Sequence, residues 1–436
     1  MMSRLVSVIV MLMALTSLPT IAREHKNWKM AILSDIHVMA PELLQEDGAA
    51  FQNYIAHDRK LLRESSDLLK SAVADLLEER PDVVLVTGDL TKDGEAVSHQ
   101  YVAEQLLKPL RKAGIPVYVI PGNHDVNNPH AVVFLKDTVQ RTKTVTPDEF
   151  AQCYSDYGYG QAAIARDEHS LSYVVQLDES TRLLAIDACK YEENDYTLNT
   201  CVTGGRIKEE TMDFIRRQVA DAKRQGCRVL TMMHHGLVRH WKWQDRVMAD
   251  YLVDNWKSRA KEFGRLGLNI VFTGHFHAQD IAACGKGDKR VYDIETGSTV
   301  SYPLPYRIVN FEDGQIDIQT KYIRHIPNFG SAEELEAHAR RYAEAGIATI
   351  VKEMLPKKVP TDVAHQAGEA LAEAYVAHLA GDERMTDSYP AVLKAACKKL
   401  RPYSWKYAFA LKKLGKYLYT DLEPADNTFL MKNEEF

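Results

Sequence analysis

Acidic, imidazole and amide side chains recur at one kind of place in this chain, directly after a short apolar run. The runs are 29-KMAILSDIH-37, 82-DVVLVTGDL-90, 116-PVYVIPGNHD-125, 228-RVLTMMHHG-236 and 268-LNIVFTGHFH-277. In order they present Asp35 and His37, then Asp89, then Asn123, His124 and Asp125, then His234 and His235, then His275 and His277. Carboxylates, imidazoles and one amide, with no thiolate among them, suit Mn, Fe, Zn or Co better than a soft-metal site. The ligand count is too high for one ion and right for two. Any one match is weak, since a lone Gly-Asp usually marks only a turn. Five such elements in order, each after a strand-like run, are a different matter.

To act together these residues need a scaffold that gathers strand ends. Apolar runs of this length, rich in Val, Ile and Leu, suit central strands covered on both faces; 182-RLLAIDA-188 is a sixth. Segments of helical period lie between them, such as 60–80, stopped by Pro81, and 208–226, stopped by Gly226. Alternating strands and helices predict an α/β layered domain, and parallel strands deliver their C-terminal ends to one edge of the sheet. Gly88, Gly122 and Gly274 each precede a polar residue of the set, which predicts tight turns and close backbone approach. The run 170–187 reads as an antiparallel hairpin turning at 178-DEST-181, and 291–298, 306–311 and 315–323 as further strands. After Pro327 the pattern is helical, over 332–355, 363–381 and 404–419, with no strand expected. The expected division is therefore an α/β unit over 23–326 and a helical C-terminal domain or cap over 327–436.

The chain has 436 residues, 45% hydrophobic and 26% charged, with a formal charge of -6. That balance gives no global reason to expect a nucleic acid polymer as partner. Residues 1–22, with Arg4 as the only charge ahead of an apolar stretch, then Thr20 and Ala22, read as a secretory signal cut before Arg23. Export to the periplasm or the exterior is the expectation, with membrane attachment only if the segment stays uncut. The six cysteines form no CxxC pair; Cys189 and Cys201 could close a loop or remain free thiols. The number of subunits is not legible.

The set Asp35-x-His37, Gly88-Asp89, Gly122-Asn123-His124-Asp125, His234 and Gly274-His275-x-His277 resembles the signature of the calcineurin-like metallophosphoesterases. The wording of 88-GDLTKDGEAVSHQ-100, 120-IPGNHDVNNPHA-131 and 168-EHSLSYVVQL-177 is similar to exported bacterial members related to cyclic-nucleotide phosphodiesterases. The resemblance implies a layered α/β/β/α sandwich. It also implies two metal ions, the first held by Asp35, His37 and His277, the second by Asn123, His234 and His275, with Asp89 bridging. Of the adjacent histidines, alignment favours His234 as ligand, with His235 lining the pocket. The implied reaction is hydrolysis of a small phosphodiester, cyclic nucleotides leading, by attack of a metal-bridging hydroxide. A phosphomonoesterase is the alternative, and a non-catalytic metal-binding adaptor a third. His124 is then placed to protonate the leaving oxygen or to steady the transition-state charge, with Asp125 orienting it.

Other polar residues have plainer readings. Asn127 and Asn128 are expected to form turns, His99 to pack or cap, and Asp187 to bond loop amides. His240, Trp241 and Trp243 could line an entrance or sit on an amphipathic loop. His325, His338, His365 and His378 read as surface or packing residues.

Overall fold

The computed structural model describes residues 27–312 and 314–432, so the expected signal at 1–22 lies outside the described residues. Among the described residues fifteen strands occur in chain order: β1 (Trp28–Leu33), β2 (Val83–Val86), β3 (Val117–Val119), β4 (Val132–Phe134), β5 (Val139–Arg141), β6 (Ala163–Arg166), β7 (Tyr173–Asp178), β8 (Thr181–Ile186), β9 (Arg228–Met233), β10 (Ile270–Thr273), β11 (Asp280–Cys284), β12 (Val291–Glu295), β13 (Pro305–Glu312), β14 (Gln315–Tyr322) and β15 (Thr428–Lys432). They form a six-stranded sheet, β15-β14-β13-β1-β2-β3, a seven-stranded sheet, β11-β12-β10-β9-β8-β7-β6, and the small hairpin β4-β5. Strands β1, β2 and β3 are parallel, as are β8, β9, β10 and β12.

Alternation along the strands shows the layering. In β8, Leu183 and Ala185 join the central core with Ile32, Val84 and Phe272, whereas Leu184 and Ile186 join a second core. That second core is closed by Phe214, Ile215 and Val219 of helix Glu209–Arg224 and Phe263 of helix Trp256–Leu266. A period-2 strand places successive residues on opposite faces, so this sheet lies between the other sheet and a helical layer. Helix Ser65–Glu79 covers the first sheet through Leu68, Leu69, Ala72 and Leu76. The protein is thus a mixed α/β sandwich with helices outside, followed by helices Ala332–Met354, Thr361–Ala380, Tyr389–Leu400 and Trp405–Tyr417.

Two expectations need correction. The helix expected over 60–80 starts at Ser65, because residues 60–64 are held in a loop that bonds the Leu61 amide to the Val300 carbonyl at 2.7 Å. The C-terminal region also contains a strand: β15 pairs with the outer edge of β14. Five residues with only Met431 fully buried carry too little alternation to read as a strand alone.

Candidate active site

Every residue of the sequence-derived set lies just past the C-terminal end of a parallel strand: Asp35 after β1, Asp89 after β2, Asn123 after β3, His234 after β9, and His275 and His277 after β10. The turns are cross-stitched. The Asp35 amide donates to the Gly88 carbonyl (3.1 Å), the His37 amide to that of Asp89 (2.9 Å), and the Gly274 amide to that of His234 (3.0 Å). Asp35, His37, Asp89, His275 and His277 all have positive φ, from 35° to 80°. Such backbones cost energy in non-glycine residues and persist where surrounding structure enforces them, typically at functional sites.

The glycines act by two means. Gly88 has φ of 101°, a conformation that favours glycine. Gly122 and Gly274 are needed for space: a Cβ on Gly122 would stand 2.1 Å from Asp89 Oδ1, and one on Gly274 would stand 1.9 Å from Ser34 Oγ and 2.5 Å from Asp35 Oδ2.

Two groups of donors meet around Asp89. In the first, His37 Nε2 lies 3.1 Å from His277 Nε2, 3.5 Å from Asp89 Oδ2 and 3.8 Å from Asp35 Oδ1, and His277 Nε2 lies 3.3 Å from Asp35 Oδ1. In the second, His234 Nε2 lies 3.4 Å from Asp89 Oδ2 and 3.3 Å from Asn123 Oδ1, with His275 alongside. Ions of this class bind N and O at about 2.0–2.2 Å, which puts neighbouring ligand atoms roughly 3–4 Å apart, the spacing seen here. Asp35 Oδ1 is buried without a hydrogen-bond partner, while its Oδ2 accepts from Ser34 Oγ and from the His275 amide (2.9 Å). An unpaired buried carboxylate oxygen among imidazole nitrogens fits a cation better than a closed hydrogen-bond network.

Burial, reinforced by the nearby Lys60 ammonium, holds His37 well below its ordinary pKa. Burial lowers His275 strongly as well, and lowers His277 against the pull of Asp35. Neutral imidazoles are the form that ligates. Burial also disfavours charge on His234, but the Asp89 carboxylate outweighs it and raises this imidazole to about 9. The second ring nitrogens are tied down: His234 Nδ1 to the Thr87 carbonyl (2.9 Å) and His275 Nε2 to that of Asp250 (3.2 Å). Such outer partners fix ring orientation and tautomer.

His234, not His235, turns into the cluster. His235 reaches the Thr203 carbonyl (2.9 Å), its ring packs close to Gly205, and burial pushes it down to about 3. His124 stands at the rim, with its side chain 26% exposed where the candidate ligands are nearly or wholly buried. Its amide donates to Asp89 Oδ1 (2.9 Å), and its ring lies edge-on to His37 at 4.9 Å.

The carboxylate that orients His124 is Asp93, at 2.8 Å from Nδ1, and not Asp125 as the sequence suggested. Asp125 Oδ1 accepts from the Thr91 amide and hydroxyl, and its Oδ2 from the Leu90 and Gly122 amides, so it clamps the two ligand loops together and faces away from the ring. Asp93 is itself held by Lys92 and by Tyr54 Oη (3.3 Å). In 92-KDG-94 it reads as an ordinary turn, and only the fold brings it to His124. Lys60, almost buried beside the first group, and Tyr251, whose ring lies 4.7 Å from that of His275, also escaped the sequence reading.

The remaining candidates divide. Asn128 anchors its turn by donating to the His124 carbonyl (3.0 Å), and Asn127 has φ of 49°. His99 is bonded to Tyr154 Oη (2.7 Å) and the Asp125 carbonyl (2.8 Å), and Asp187 accepts from the Leu171 and Cys189 amides. His240 and Trp241 are neither entrance nor exposed loop: both are buried, His240 bonding Asp280 at 2.7 Å. His378 is likewise buried, against Glu383 and Asp280. All six cysteines are free thiols, with Cys189 Sγ 3.3 Å from the Pro121 carbonyl and Cys201 Sγ 3.4 Å from that of Asn123.

Parts of the chain are similar to known proteins. A "Probable cyclic nucleotide phosphodiesterase" of Psychrobacter arcticus is 25% identical over 205 residues, 46% of this chain and 59% of that protein. The DNA double-strand break repair protein Mre11 of Methanocaldococcus jannaschii is 32% identical over 84 residues, 19% of this chain and 22% of that one. The chain thus matches less than two thirds of the length of either relative. Among solved structures, a dimetal phosphatase from Danio rerio aligns over 68% of this chain and 96% of its own, at 13% identity and a TM-score of 0.47. The model of the calcineurin-like phosphoesterases matches residues 29–279, more than half the chain. That stretch runs from the second residue of β1 to just past His277 and holds every residue of the cluster, so the chain belongs to the calcineurin-like phosphoesterase family.

Proposed function

We propose that this protein is a phosphoester hydrolase dependent on two metal ions, acting on small diesters with cyclic nucleotides as the leading class. The observation that carries the reading is the pair of buried donor groups sharing Asp89. Asp35, His37, Asp89 and His277 would hold one ion, and Asp89, Asn123, His234 and His275 the other. When bound, such a pair supplies charge to clamp a phosphate and lowers the pKa of a water between them. The chain's residues do the rest. His124, partly exposed at the rim, holds a proton for the leaving oxygen, and Asp93 on its other nitrogen fixes the tautomer that presents it. Lys60 adds positive charge on the His37 side, where a phosphate would sit. The diester preference is supported by the printed name of the Psychrobacter arcticus relative.

The test is to strip the protein of metal, reload it with Mn, and compare a cyclic nucleotide, a generic diester and a generic monoester side by side. Faster turnover of the diesters supports the reading. Preference for the monoester moves the assignment to a phosphatase, and no hydrolysis with two ions bound moves it to a metal-binding adaptor. We propose export as well, on the character of residues 1–22; a mature protein whose mass begins at Met1 would refute cleavage there.

A further inference from the structure

The structure assigns a second surface to the protein, independent of the phosphoesterase reading: the helical hairpin Tyr389–Leu400 and Trp405–Tyr417 is, we propose, a docking face for an anionic lipid bilayer. Between Ser388 and Thr420 the sequence has seven lysines and one arginine, and no aspartate or glutamate. The whole chain carries -6, so removing these eight charges leaves -14 on the remainder. The protein is therefore an acidic body with one basic appendage, a charge asymmetry that points to a negatively charged partner. Among the described residues none of the eight cations forms an ion pair with a carboxylate, so their charge is not neutralised within the fold.

The same face is apolar. Trp405 is 66% exposed and Phe409 49%. An open cleft of about 960 Å³ runs between the two helices, floored by Leu393 and Ala408 and rimmed by Lys394, Lys398, Lys412 and Lys416. Exposed aromatics between lysines on an amphipathic helix form the pattern that lies in a membrane interface, with rings at the headgroup boundary and ammonium groups on phosphates. Among the described residues no helix is long and apolar enough to cross a membrane. A symmetric contact with the same face of a second copy is disfavoured, because the hairpin would set its eight cations against eight others.

The experiment is co-sedimentation of the full chain with vesicles of phosphatidylcholine alone and with about one third phosphatidylglycerol, at low and high salt. The N-terminal apolar segment would add to binding on both, so the readout is the difference between them. Binding should be about a hundredfold or more stronger on the anionic vesicles, and that excess should vanish in high salt. The variant K394Q/K398Q/K412Q/K416Q should lose the excess, a fall of about a hundredfold or more, with unfolding temperature and hydrolytic activity unchanged. Trp405→Ala should weaken anionic binding while keeping the salt dependence. Equal binding to the two vesicle types, or a quadruple variant that binds like the parent, would overturn the proposal. Tighter binding of soluble poly-glutamate than of the anionic vesicles would also overturn it, in favour of an acidic protein partner.

Discussion

Replacing Gly274 by alanine adds one methyl group at the tightest point of the site. The new Cβ would lie 1.9 Å from Ser34 Oγ and 2.5 Å from Asp35 Oδ2, about 1.5 Å and about 0.9 Å short of an ordinary 3.4 Å contact. Neither neighbour is a free chain end, since Ser34 Oγ is bonded to Asp35 and accepts from Thr87 Oγ (2.7 Å). Overpacking of this kind costs about 1–3 kcal/mol, so the protein should fold with a lowered unfolding temperature. The larger effect falls on Asp35, whose other oxygen belongs to the first donor group. A shift of about 1 Å at reacting groups costs on the order of a hundredfold in rate. Gly274→Ala should therefore lose about that much kcat/KM on the preferred diester and hold fewer than two ions per chain by elemental analysis. Adding Ser34→Ala removes the nearer clash but leaves the one on Asp35 and takes away the hydrogen bonds of Ser34 Oγ, so stability should recover only in part, and rate and ion content not at all. A Gly274→Ala protein with two ions and full activity would refute the reasoning, as would complete recovery of rate in the double variant.

His124→Ala should keep both ions by elemental analysis yet lose about a hundredfold or more in kcat, as expected for a general acid. Asp93→Asn should lower kcat by roughly tenfold with ion content unchanged, because it removes the carboxylate from His124 Nδ1 and leaves only the Lys92 carbonyl (2.8 Å) there, without touching a candidate ligand; an unaltered rate would make that carbonyl the sufficient support. Asp89→Asn should weaken both ions together in a metal titration, since its carboxylate is common to both groups; loss of a single ion would contradict that sharing. His99 is held neutral by burial, down to about 4 from 6.5. Above pH 6.5 it is uncharged in both states; below that the unfolded chain takes up a proton that the folded one refuses, so stability falls until about pH 4, by roughly 3 kcal/mol. Comparing denaturant unfolding of the parent and His99→Gln across that window should show a shallower decline in the variant.

The sequence carried the donor set because each member follows an apolar run that could be recognised by itself, and parallel pairing then brings the ends together. Of the layering it carried only that such strands are covered on both faces, as Leu183 to Ile186 are, all apolar and divided between two cores; the two-sheet sandwich came from the family resemblance. What it did not carry depends on chain packing at long range. Asp93 and Asp125 are both acidic residues beside glycine-containing turns, and nothing local says which will meet the His124 ring. The fold decides, by burying Asp125 under four donors from residues 90, 91 and 122. His378 reads as one more helical histidine, yet it lies against Asp280, which is 98 positions away. Strand β15 is invisible for a related reason, since an edge strand with one buried residue is defined by its partner β14 more than by its own pattern.

The C-terminal helices are built into the site rather than hung over it. Phe276 lies between the candidate ligands His275 and His277, and its ring packs 6.2 Å from Tyr375 and 5.3 Å from His378, both on helix Thr361–Ala380. Two residues past His277, the Gln279 amide donates to the Leu379 carbonyl at the end of that helix (3.1 Å). On the other side, Tyr342 Oη donates to the Ile55 carbonyl (2.8 Å) and Arg59 to Tyr375 Oη (2.6 Å), which fixes the loop that carries Lys60. Beyond the helices, Asp426 accepts from the Ile281 amide (2.8 Å), and its carbonyl from buried Arg307 (2.7 Å), before β15 closes the first sheet. A lid that opens would have to break these contacts together and expose Phe276, Tyr375 and His378 to water. Buried apolar and charge-assisted contacts of this number make helices Ala332–Met354 and Thr361–Ala380 a fixed wall. Any movement of the His275 loop or of the loop carrying Lys60 would therefore have to carry helices Ala332–Met354 and Thr361–Ala380 with it.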